Sequence, residues 1–141
     1  MLGGETMQIP QIPEGLVCRD EYIVTDEYTA KHIGSGEVEV LATPAMILFM
    51  ERTALLCVQR YLPENLTTVG TLVNVKHVNP VPKNEKVVVE AKLIKIEGRK
   101  LTFEVRASWK DLLIGEGIHE RFIVDRQRFA EKVRRLLEEH K

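Results

Sequence analysis

Fourteen consecutive residues, Ala45 to Val58, read Ala-Met-Ile-Leu-Phe-Met-Glu-Arg-Thr-Ala-Leu-Leu-Cys-Val, with Glu51 and Arg52 as their only charges. Thr43-Pro44 in front is a helix start, a capping hydroxyl followed by proline at the first helical position. Leu62-Pro63 ends the run, because a residue before proline is pushed out of the helical region. A helix apolar on nearly every side has to be covered by the rest of its domain. Glu51, near its middle, then either faces an opening or is buried at a cost of several kcal/mol unless paired.

The remaining chain supplies the cover. Leu16 to Val24 reads as a first strand, Thr25 to Gly36 as a polar loop or lid, and Glu37 to Leu41 as a short strand leading into the helix. From Thr67 the apolar period changes to two. Thr71, Val73, Val75 and His77 share one face of a strand that ends at Asn79-Pro80. Lys86 to Ile96 is a second long strand, joined through Glu97-Gly98-Arg99 to a third in which Leu101, Phe103, Val105, Ala107 and Trp109 alternate with polar residues. Leu112 to Val124 is the fourth long strand. Phe129, Val133, Leu136 and Leu137 mark one face of an amphipathic C-terminal helix over 126–141. The expectation is an α+β chain with a flexible leader over 1–13 and a single domain over 14–141. Other α+β sandwiches share this order, but a helix apolar all round favours a sheet that curls about it over a flat sheet, which covers only one face.

Composition narrows the function. A net charge of −1 with 29% charged residues argues against a nucleic-acid surface. The longest apolar run is too short to span a bilayer, which takes about 20 residues. The leader has no basic stretch followed by an apolar core, so a signal peptide is not expected and the address is cytoplasmic. Cys18 and Cys57 match no metal or redox spacing and are expected to be reduced, partly buried thiols. With no Ser or Cys nucleophile motif and no metal-binding motif, a hydrolase here would run on carboxylate and imidazole. Glu51 in a desolvated cleft would serve as general base or nucleophile. His77, on a face with two valines, would move one proton near neutral pH. Thr43 is explained as a helix cap, and Gly70 as a bulge or a place where a ligand nears the backbone. Gly115-Glu116-Gly117 lacks the third glycine and following helix of a phosphate loop. His119 and Arg121 share one strand face, with Glu120 on the other; a cross-strand salt bridge accounts for the charges.

Taken together, the ordered blocks Ala42-Thr43-x7-Glu51, Val69-Gly70-Thr71-x-Val73-Asn74-Val75-Lys76-His77-x2-Pro80, Glu97-Gly98-Arg99-Lys100-Leu101-x-Phe103 and Ile114-Gly115-x-Gly117-x-His119-Glu120-Arg121 resemble the fluoroacetyl-CoA thioesterase-like branch of the hotdog superfamily. The resemblance runs from about Leu16 to Phe129. It implies a hotdog fold, a curved antiparallel sheet around a long central helix, in a homodimer that hydrolyses a small acyl-CoA thioester without metal or cofactor. Pairing of dimers into tetramers is left open. The family's catalytic threonine, glutamate and histidine fall on Thr43, Glu51 and His77. Gly70 and Arg121 are the substrate-binding candidates. Where the fluoroacetate-specific member closes lid phenylalanines over its acyl group, this chain reads His32-Ile33-Gly34-Ser35-Gly36-Glu37, which argues against a fluoroacetyl group. A non-catalytic acyl-CoA-binding module and an enoyl-CoA hydratase are the alternatives. Thr43 and Glu51 are eight residues apart, about 12 Å along a helix. Either Thr43 lies in a loop that folds back, or one site draws on two subunits.

Overall fold

A computed structural model describes residues 8–141. The expected leader is partly outside that range, and the part inside it is not loose: Ile12 is buried in the core and Ile9 packs against it. The packed domain thus begins before residue 14.

Five strands form one antiparallel sheet: β1 (Val17–Ile23), β2 (Leu66–His77), β3 (Lys86–Glu97), β4 (Lys100–Trp109) and β5 (Leu112–Asp125), in the order β1-β3-β4-β5-β2. The sheet curls about the central helix α2 (Thr43–Gln59), which touches every strand, and α3 (Arg126–Glu139) follows β5. This is the hotdog arrangement expected from the pattern of elements. Alternation does what it should: Val87, Val89, Ala91 and Leu93 of β3 and Leu101, Phe103, Val105 and Ala107 of β4 are buried against the helix, while Glu104 and Arg106 are exposed. Each of these valine, leucine and phenylalanine side chains contributes about 1.5–3 kcal/mol by leaving water, and each alanine less. Gly98, at φ 61°, makes the two-residue turn between β3 and β4 in a backbone region other residues avoid.

Several local expectations are corrected. The segment Glu37 to Leu41 is not a strand; it makes only the single bridges Thr29–Leu41 and Val40–Pro82. The preceding polar stretch is not all loop, since a 3-10 turn (Asp26–Tyr28) and a one-turn helix, α1 (Ala30–Ile33), form there. Thr29 caps that turn of helix by accepting from the His32 N–H.

The helix is less fully enclosed than its composition suggests. Ala45, Met46, Phe49, Met50, Ala54, Cys57 and Val58 are buried, and Phe49 stacks on Tyr22 and meets Tyr28 edge-on. Leu48 and Leu56, however, are 46% and 47% exposed, with Arg52 between them. One apolar stripe of α2 therefore has no cover among the described residues. The cysteines are also corrected: Cys18 of β1 and Cys57 of α2 form a disulfide, their Cα atoms 5.6 Å apart although 39 residues separate them. The helix crosses β1 at that point, a proximity that spacing along the chain does not encode.

Candidate active site

Two groups of polar side chains line the boundary between α2 and β2. At one end, Thr43 and His77 meet: Thr43 Oγ1 lies 2.7 Å from His77 Nδ1. The capping role expected of Thr43 is overturned. Ala42 is the cap residue, with no side-chain capping bond; Thr43 is the first residue inside the helix, Pro44 follows, and the Thr43 hydroxyl is committed to the histidine. His77 is half-buried, and burial holds its pKa below the ordinary 6.5, opposed only by the backbone at Asn79. Its Nε2 is buried without a hydrogen-bond partner among the described residues. A neutral imidazole with one nitrogen committed to a hydroxyl is suited to passing a proton.

About two helical turns along α2, Glu51 reaches across to Gly70 of β2. A Cβ placed on residue 70 would stand 2.8 Å from Glu51 Oε2, and 3.4 Å from both Arg121 Nη1 and His119 Cε1. Glycine at 70 is thus explained by close approach: the carboxylate occupies the space of the missing side chain. Arg121 is 6% exposed, its guanidinium bound to Thr68 and His119 and electrostatically attracted by Glu51. The expected salt bridge is therefore right only for Glu120, which pairs with Lys100 at 3.5 Å. His119 and Arg121 point inward, and His119 is the site residue that sequence reasoning missed. Its signal was present, since it shares its face with the buried Ile123.

Gly70 and His77 have opposite parity and would face opposite sides of a regular strand. A bulge between Gly70 and Leu72 in the pairing of β2 with β5 inserts one residue and resets the phase. Leu66 and Thr68 are buried before it, and Val75 and His77 are turned toward the core side after it. The bulge is what lets both groups face α2.

The structure does not bring Thr43, Glu51 and His77 together within one chain. Thr43 is helical, so the fold-back loop is absent, and a rise of about 1.5 Å per residue keeps it roughly 12 Å from Glu51. Gly70 and His77 stand about 20 Å apart along β2. His32, in α1, and His140, after α3, lie away from both groups, bonded to Asp26 and to the Leu136 carbonyl. Among the described residues no three His, Cys, Asp or Glu side chains gather as a metal site would require, and no helix is long and apolar enough to cross a membrane.

Comparisons with known proteins point to one family and one fold. A family model described as fluoroacetyl-CoA-specific thioesterase (FlK) matches residues 24–127. The fluoroacetyl-CoA thioesterase of Streptantibioticus cattleyicolor is 32% identical over 120 residues, spanning 81% of this chain and 86% of that protein. A Thermus thermophilus protein described as a thioesterase superfamily member superposes with a TM-score of 0.85 at 30% identity, over 93% of this chain and 97% of the other. A FlK variant in complex with fluoroacetate and CoA superposes with a TM-score of 0.79 at 28% identity, over 84% and 99%.

Proposed function

The chain belongs to the fluoroacetyl-CoA-specific thioesterase family, and from that premise we propose that it hydrolyses a small acyl-CoA thioester to the free acid and CoA. The observation that carries the proposal is the pair of half-sites on β2: a hydroxyl-bound neutral imidazole at one end, and a carboxylate laid over a glycine beside a buried arginine at the other.

One symmetry operation unites them. β2 is an edge strand whose second edge pairs with no strand among the described residues, and Leu72 and Val73 on it are 42% and 38% exposed. Antiparallel pairing of β2 with a second copy about a two-fold axis near Val73 and Asn74 sets each Gly70 opposite the partner's His77. Glu51 of one copy then faces Thr43 and His77 of the other across a single thioester, and the open stripe of α2 lies beside the same interface. The homodimer is thus part of the proposed site and not an addition to it.

In such a site Glu51 acts on the thioester carbonyl, as general base toward water or as nucleophile. His77 delivers a proton to the departing thiolate, and Thr43 holds its ring. Backbone N–H groups near Gly70 or at the start of α2, where helical donors lack partners, receive the oxyanion. Arg121 supplies a fixed positive charge beside Glu51. Water adds to the acyl carbon, the C–S bond breaks, and CoA leaves as the thiol. The proposed chemistry calls for no metal or cofactor; the proposed address stays cytoplasmic, where CoA thioesters occur, although the Cys18–Cys57 disulfide is a bond rarely kept in that compartment. The proposed acyl group is small, and residues 32–37, with no aromatic side chain to close over it, argue against fluoroacetyl.

Thiol release from a panel of acyl-CoAs tests the reading. Glu51→Gln and His77→Ala are expected to lower turnover by about 10²-fold or more without unfolding the domain. Near-wild-type rates in both variants would overturn it. Binding of acyl-CoA with no thiol released would identify a sensor, and hydration of crotonyl-CoA with its thioester intact a hydratase.

A further inference from the structure

His119 is fully buried on the inward face of β5, two residues from Arg121, with its ring beside Phe103. Its Nδ1 lies 2.8 Å from the Leu72 carbonyl and its Nε2 3.2 Å from Arg121 Nη1. A carbonyl only accepts and a guanidinium only donates, so Nδ1 carries the proton and Nε2 the lone pair. Arg121 is held on its remaining sides by Thr68: Nε donates to Oγ1 at 2.7 Å and Nη2 to the carbonyl at 3.0 Å. Three neutral acceptors fix the guanidinium in one plane, and none of them cancels its charge. The charge is directed toward Glu51 over Gly70. Through Leu72, the same imidazole is tied to the β2 bulge that aims Gly70 and His77.

We propose that His119 is a positioning residue: as the neutral Nδ1–H tautomer it locks Arg121 in the plane that presents a fixed positive charge to Glu51. The role rests on the proposed part of Glu51 in thioester hydrolysis. A histidine is suited to it because a single rigid ring offers one donor and one acceptor in fixed directions. The charged groups facing it are Arg121, Glu51 and Glu120, and burial and Arg121 both lower its pKa. A second proton on the ring would turn donor against donor at Arg121 and release the clamp.

Long-range ¹H–¹⁵N NMR of the full chain reads the tautomer without reference to activity. A protonated Nδ1 and bare Nε2 on His119, with the ring neutral at pH 6.5, is expected. The opposite tautomer, or a charged ring at that pH, would overturn the proposal. In thiol-release kinetics His119→Leu should lower kcat about tenfold with KM unchanged, the scale of loss for a slightly misplaced group. His119→Gln, whose carbonyl takes the place of Nε2, should retain most of the rate. The His119→Leu/Arg121→Met double variant should be no slower than Arg121→Met alone, since both act through one guanidinium. Equal losses in the Leu and Gln variants, or additive losses in the double variant, would overturn it. If His119→Leu does not fold, the Gln variant and the NMR tautomer decide. A wild-type protein that releases no thiol would sink the hydrolytic reading, and the tautomer measurement would still stand or fall by itself.

Discussion

Gly70 is the residue where the account is most exposed to a single substitution. A methyl group there would sit 2.8 Å from Glu51 Oε2, and the atom that must yield is the end of a flexible side chain. Gly70→Ala should therefore cost little stability while displacing the carboxylate. We expect kcat to fall about 10–100-fold, as for a reacting group moved by roughly 1 Å, with the melting temperature nearly unchanged. Thiol-release kinetics alongside thermal unfolding checks both halves, and an unaffected kcat would count against Glu51 as the reacting group. Half-buried His77 and buried His119 make a second prediction. Burial depresses the pKa of His77 and His119 below 6.5 in the folded chain, so the unfolded chain binds more protons once pH drops through that value. Stability should be flat with respect to these groups above pH 6.5 and decline below it. Urea unfolding from pH 7.5 to 5 tests the sign, and stability that rises on acidification would contradict it.

At the scale of elements, period and punctuation in the sequence were enough to place α2, the four long strands and α3, because each buries a face with a clear repeat. The rest depends on contacts that periodicity does not see. Thr43 carried every local mark of a helix cap, and only the approach of β2 shows its hydroxyl bound to His77. The bulge after Gly70 was one of the two readings its glycine allowed, but composition alone did not say that the inserted residue decides which side His77 faces. Cys18 and Cys57 looked unrelated because they stand 39 positions apart in sequence, and the crossing of α2 over β1 makes them partners. Closing a loop of that length removes unfolded-state entropy worth about 3–4 kcal/mol. Urea unfolding with and without reductant should differ by that order. Two free thiols and no change on reduction would restore the reduced pair that the sequence suggests.

At the scale of the whole molecule, the separation of Thr43 from Glu51 turned an ambiguity of spacing into a statement about assembly. A single copy carries both halves of the proposed site but holds them apart on one helix and one edge strand. The stripe of α2 with Leu48 and Leu56, and the outer edge of β2 with Leu72 and Val73, are exposed among the described residues, and in the proposed dimer a second copy would complete the sheet and the site there. The most direct test mixes two inactive chains, Thr43→Ala and Glu51→Gln, under conditions that exchange subunits. In a mixed dimer one site receives both substitutions and the other receives neither. An equimolar mixture should therefore recover about a quarter of wild-type thiol release, since half of the dimers are mixed and each has one intact site. Activity that stays at the level of the two parents, in dimers shown to be mixed, would contradict the shared site.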